Sequence, residues 1–154
     1  MPTPYRIIDE PAPGTLQQLS VNPLFPLLAV MVGGPGFGWL WFIVNGFALG
    51  SASQRREAVG IAVGLAGLAL LTVALAGPWL QAMVEPGTIK YLRVLTYAWV
   101  LGISYVIFSM QDASFQIYEY MGGPAGNGVA LVVAASVLGS RLAARGPVMA
   151  ALFW

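Results

Sequence analysis

Four groups of residues in this 154-residue chain have the types and spacing to do chemistry. The first is the run Gly33-Gly34-Pro35-Gly36-Phe37-Gly38-Trp39. In a helix interior glycine costs about 1 kcal/mol relative to alanine and proline about 3 kcal/mol, so such a run interrupts a helix. Inside a membrane segment the freed carbonyl and N–H groups of a broken helix can line a binding site, as in transporters. Alternatively, neighbouring helices satisfy the backbone and the run is a close-packing kink. The second group is Asp112, Gln116 and Glu119, spaced i, i+4, i+7 on one helical face. Buried in lipid, such acids form a proton or cation relay; at the membrane surface they form the wet side of an amphipathic turn. The third is Arg141 and Arg145, also four apart, placed to snorkel, to meet anionic lipid or to pair with a partner's acid. The fourth is aromatic: Tyr91, Tyr97 and Trp99, with Trp39 and Trp41. These residues suit contact with a pigment or quinone, or packing and anchoring at an interface.

The residue types that are absent narrow the chemistry further. Histidine and cysteine do not occur, which removes structural zinc sites, His- or Cys-ligated haem, Cys-held iron–sulfur clusters and disulfides. Nucleophilic cysteine and histidine general-base chemistry go with them, and so does a Ser–His–Asp triad. Lys90 is the single lysine and lies near the start of an apolar segment, a poor place for a retinal Schiff base. No metal site or cofactor is expected apart from bound lipid or the pigment or quinone contact above, and no catalytic residue can be assigned. With a net charge of +1 and no basic stretch, nucleic acid is not an expected partner.

The elements that must position these residues follow from where charge is missing. Charged residues make up 8% of the chain and hydrophobic residues 58%, against roughly 25% and 45–50% in ordinary soluble domains. That composition implies an all-α integral membrane bundle. No Asp, Glu, Lys or Arg occurs over 11–54, 58–84, 94–111 or 120–140. Each gap can hold the ~20 apolar residues that cross a bilayer, and strand alternation of the barrel kind is not visible in them. Four transmembrane helices are therefore expected, over Leu24–Gly50, Ala58–Ala76, Tyr91–Met110 and Asn127–Trp154. Pro23 and Pro26 suit the opening turn of the first, and Gly77-Pro78 ends the second. The fourth either stops near Ser140, leaving an interfacial tail, or continues to Trp154. Residues 1–20 form a polar tail with Pro2, Pro4, Pro11 and Pro13. It lacks the basic-then-apolar order of a cleaved signal, so the first span is expected to act as an uncleaved anchor. On the four-span topology Arg6, Lys90, Arg93, Arg141 and Arg145 share one side against Arg55 and Arg56. The positive-inside rule then puts both termini in the cytoplasm of a multi-pass inner-membrane protein.

Small residues complete the pattern. Gly60, Gly64 and Gly67 share one face of the second span, and Ala130, Ala134 and Ala135 recur at similar spacing in the fourth. Such faces let helix backbones approach closely, within one chain or between chains. The punctuation Asn22-Pro23, Gly33-Gly34-Pro35, Gly38-Trp39, Asn45-Gly46 and Leu49-Gly50 precedes a short basic turn, and Gly122-Gly123 precedes the last span. This layout resembles a loose group of small, uncharacterised bacterial multi-spanning membrane proteins. The resemblance covers most of the chain and implies a bacterial membrane protein without implying an activity. Missing catalytic ligands together with small-residue faces point to a non-catalytic accessory subunit of a larger membrane complex, in contact with other subunits and with lipid. The alternative is a small oligomeric transporter or channel built on the broken first helix, with Asn45 or Asp112 lining its cavity.

Overall fold

The apolar run Leu24–Gly50 does not form one spanning helix; it reverses direction at its centre. The computed structural model, which describes residues 16–154, places α1 at Leu24–Gly33 and α2 at Pro35–Leu49. Gly34 joins them with φ 87° and ψ 171°, a backbone region that is essentially glycine-only. Pro35 opens α2 at a position where a missing N–H is tolerated. Beyond the turn the two helices run antiparallel. Gly38 packs on Val30 and on the carbonyl of Pro26. The N–H of Val21, just before α1, bonds Asn45 Oδ1 near the end of α2 at 2.9 Å. With 10 and 15 residues, the two helices are only about 15 and about 22 Å long. A kink and a reversal use the same glycines and proline, so spacing alone announces the break without its direction.

Helix α3 follows at Gln54–Ala76, then the short α4 at Pro78–Met83 and the long α5 at Pro86–Tyr120. Two stretches, Gln54–Ala76 and Tyr91–Tyr120, are long and apolar enough to cross a membrane. They contain the expected second and third spans and extend them, because Gln54–Glu57 and Asp112–Glu119 stay helical. Gly77-Pro78 does end α3. The pair runs antiparallel: Gly60 faces Ile107, Gly64 faces Ile103 and Gly67 faces Trp99.

Of the two expected endings of the fourth segment, the helix takes the earlier: α6 covers Val129–Ala143, and a separate short helix α7 follows at Pro147–Leu152. The turn between them contains Gly146 at φ 151°. α6 lies beside α1 and parallel to it, with Gly128 against Phe25 and Gly33 against Ala135. α7 then doubles back, so that Gly139 faces the carbonyl of Trp154. The indole of Trp154 donates to the Met31 carbonyl at 3.0 Å. In a continuous helix that carbonyl would take the N–H of residue 35, which is a proline.

Among the described residues the regular structure is helical, apart from an isolated bridge between Val21 and Gly126. The buried side chains lie where the α1–α2 hairpin meets the α3–α5 pair: Trp39 and Phe42 from α2, Ile61 and Leu68 from α3, Val100 and Ile107 from α5. The molecule thus has two unlike ends. Ser20, Asn45, Ser51, Glu57, Gln111 and Tyr118 gather at one, called here the polar end. The hairpin tip at Gly34, helix α4 and the α6–α7 turn lie towards the other.

Candidate functional site

At the polar end, helix α5 and the loop before α3 turn polar side chains towards a single carboxylate on α3. Glu57, in the first turn of α3, is only 3% exposed. Its Oε1 accepts from the hydroxyls of Ser51 and Ser53, both at 2.6 Å, and its Oε2 accepts from Gln111 Nε2 at 2.7 Å. Gln111, fully buried in α5, also donates to the Phe42 carbonyl at 2.6 Å and accepts from Asn45 Nδ2 at 3.0 Å. Asn45 in turn takes the Val21 N–H. One chain of bonds therefore links the entry to α1, then α2, α5 and α3, and ends in the loop before α3. Gly46 makes the approach feasible: a methyl group there would stand 2.6 Å from Glu57 Oε2 and 3.1 Å from Gln111 Nε2. The Gly46 carbonyl accepts from the Ser51 N–H at 3.1 Å and from Gln54 Nε2 at 3.0 Å.

Every side-chain partner of the Glu57 carboxylate is neutral. Buried charge is normally paired with an opposite charge or a metal, so three donors on one carboxylate are what make this burial tolerable. Hydrogen bonds to a charged group contribute about 1.5–3 kcal/mol each. The arrangement locks the hairpin onto the α3–α5 pair. A crevice opens beside it between α2 and α3, walled by Ile43, Phe47, Ala58 and Ile61, with Gln54 and Glu57 as its polar lining.

Of the residues singled out in the sequence, Asn45 belongs to this network and the others lie elsewhere. Asp112, Gln116 and Glu119 face outward next to the network; Gln116 Nε2 bonds Asp112 Oδ2 at 2.8 Å on the exposed side of α5. The run Gly33, Gly34, Pro35, Gly36 and Gly38 forms the hairpin tip, and its surroundings are filled: Gly33 by Ala135, Gly34 by Leu152, Gly36 by the Phe153 ring and Gly38 by Val30. Phe153 also packs edge-on against Phe37 at 5.1 Å. Asn45 sits at the far end of α2 from this tip. Gly64 and Gly67 face inward beneath Trp39 and Trp99, and Gly60 faces Ile107. Ala130 and Ala134 are exposed on α6, while Ala135 is buried. Arg141 and Arg145 are exposed at the end of α6 and in the turn after it. Trp39 and Trp99 are internal, bonding Ser104 Oγ at 2.8 Å and the Gly64 carbonyl at 3.0 Å. Tyr91 and Tyr97 stay exposed.

Gln111, Glu57, Ser51 and Ser53 carry the site without having been singled out from the sequence, and the Ser114 hydroxyl joins it 3.1 Å from that of Ser51. A signal for part of it was present. Val100, Ser104, Ile107, Gln111, Phe115 and Tyr118 recur at three- and four-residue steps and all are buried, which is the periodicity of an inward helix face. The stripe through Asp112 is displaced from it by one residue, enough to turn it outward.

No family model, curated protein or solved structure matches this chain.

Proposed function

We propose that the chain is a non-catalytic accessory subunit of a membrane protein complex, in contact with other membrane subunits and with lipid. In this reading α3 and α5 cross the bilayer, and the α1–α2 hairpin enters and leaves on one face. α6 makes a short third crossing, which arginines at its end support by snorkelling, so the topology has three crossings and a re-entrant hairpin in place of four spans. The single observation that carries the reading is the outward face of α3. Ala58, Ala62, Ala66 and Ala69 are all exposed at four- and three-residue steps, while the glycine face of the same helix is consumed inside the chain. Exposed small residues in a membrane helix favour close approach by another helix, and Ala130 and Ala134 repeat the feature on α6.

Because the hairpin returns the chain to the polar end, Lys90, Arg93, Arg141 and Arg145 lie towards the tip end, against Arg55 and Arg56 at the polar end. The positive-inside rule then assigns the tip end to the cytoplasm of the inner membrane. Residue 20 falls on the other face, opposite to the orientation that four spans imply. The transporter or channel alternative needs a polar cavity at Gly33–Gly38, a segment packed by Ala135, Val30, Leu152 and Phe153.

The test is gentle purification from native membranes. The expected result is a co-migrating partner that is lost when Ala62→Leu and Ala66→Leu are combined. Migration of the chain alone, from unmodified membranes, sinks the reading.

A further inference from the structure

The outward faces of α3 and α5 match each other level by level. On α3, Arg55, Ala58, Ala62 and Ala69 are exposed at steps of three, four and seven residues. On α5, Ala98, Tyr105 and Ser109 are exposed and Asp112 half-exposed, at steps of seven, four and three. Each set is one face of a helix. Both look away from the contact inside the chain, where Gly60, Gly64 and Gly67 of α3 meet Ile107, Ile103 and Trp99 of α5. That antiparallel register also fixes depth, because both helices rise about 1.5 Å per residue. Arg55 stands level with Asp112, Ala58 with Ser109, Ala62 with Tyr105 and Ala69 with Ala98. The charges at the polar end of the two faces are opposite, and neither is neutralised inside the chain. Asp112 bonds the neutral Gln116, and Arg55 has no ion-pair partner among the described residues. Beyond the charges, a small residue of α3 stands at the depth of the one large aromatic of the α5 set, Tyr105.

We propose that the helix covering the alanine face of α3 is α5 of a second copy of this chain, and that copies join head to tail in a ring. Copies inserted by the same signals share one orientation, so their polar ends lie on one face of the membrane. Rotation about an axis normal to the membrane leaves every residue at its own depth. The level match within one chain is therefore also the match between neighbours. The two faces are unlike patches on different helices, so the contact is heterologous, and a closed set of such contacts is a ring. Ala58, Ala62 and Ala69 let the neighbouring backbone approach closely and supply the packing. The Arg55–Asp112 pair fixes the register and the choice of partner. A foreign helix would have to present the same order of acidic, small, large and small residues at these depths; a second copy carries it already. The inference rests on the bilayer placement of α3 and α5 proposed above and deepens that reading by naming the partner.

The measurement is oxidative cross-linking of the full-length chain in native membranes, read on a denaturing gel. The chain has no cysteine of its own. Ala58→Cys and Ser109→Cys together are expected to give a ladder of dimers and higher multimers, because each copy offers one thiol to each neighbour. Either substitution alone gives monomer. In the double-cysteine background, Arg55→Glu and Asp112→Arg are each expected to lower the cross-linked fraction several-fold, and combining the two restores it. All four positions lie on outward faces, so the variants leave the buried network intact. Absence of the ladder overturns the proposal. Dimers from Ala58→Cys alone overturn it too, since they place two alanine faces together. So does a ladder indifferent to both charge reversals, or a cross-linked product containing a different protein. That last result leaves the accessory-subunit reading standing. A ladder from a chain that purifies with no other protein does the reverse: it supports the ring and removes the accessory-subunit reading.

Discussion

Glu57 and Gln111 show how little local sequence distinguishes a buried polar residue from a surface one. Gln111 precedes Asp112, and both belong to the same polar segment, yet Gln111 is fully buried with three bonds while Asp112 faces outward. Replacing Gln111 with leucine strands Asn45 Nδ2 and one oxygen of Glu57 and removes the side-chain donor to the Phe42 carbonyl. Each buried group left unpaired costs about 1–3 kcal/mol, more when charged. Gln111→Leu is therefore expected to lower the thermal midpoint in detergent strongly, whereas Asp112→Asn stays within about 0.5 kcal/mol, as surface changes usually do. Equal effects from the two variants would mean that the network does not hold the hairpin. Gly64 gives a second contrast on a single helix. A side chain there would meet Trp39 at 2.8 Å and Ile103 at 3.0 Å, so Gly64→Leu overpacks the core and is expected to destabilise by about 1–3 kcal/mol or more. Ala62→Leu, on the exposed face of the same helix, should leave the isolated chain's unfolding nearly unchanged. The glycine face of α3 was legible in the sequence as a packing face; what spacing did not reveal is that its partners are Trp39, Trp99 and Ile103 of the same chain.

At the scale of elements, charge-free gaps located the two long helices well, and both are long and apolar enough to cross a membrane. They missed the reversal inside the first gap, while the helix of the fourth gap ends at Ala143, close to one of its two expected ends. Leu24–Gly50 carries no charged residue, and absence of charge does not encode direction. The reversal at Gly34 depends on one residue's backbone freedom. Gly34→Ala forces a Cβ into a region that costs about 1–3 kcal/mol and brings that atom 2.5 Å from the Leu152 carbonyl. It is expected to destabilise the chain by at least that amount. Gly102→Ala is the matched control: it lies in α5 with nothing within 4 Å of an added methyl group, and is expected to stabilise by up to about 1 kcal/mol through helix propensity. Thermal unfolding of both variants in detergent checks the pair. A Gly34→Ala protein as stable as the parent would mean that the α1–α2 connection tolerates other geometries.

The whole molecule is a pair of long antiparallel helices with a broken hairpin locked to one side and a second, shorter broken segment closing over its tip. The composition, with 8% charge in 154 residues, gives less charge than a water-facing surface usually carries, and two of the helices are long and apolar enough to cross a membrane. The topology was not legible in it, because four charge-free gaps predict four crossings only if each gap runs straight. In the proposed membrane placement, folding the first gap back changes which segments share a face, and with it the orientation and the expected position of every loop. The chain has no cysteine, so single cysteines report position without background. Gln18, Ala52 and Gly87 are all exposed, and each takes one substitution to cysteine in turn. Labelling with a membrane-impermeant maleimide, in sealed vesicles of known orientation, then tests the fold-back most directly. The hairpin predicts that Gln18→Cys and Ala52→Cys react from the same face and Gly87→Cys from the opposite one. Reaction of Gln18→Cys and Ala52→Cys from opposite faces would contradict it and restore a single first span.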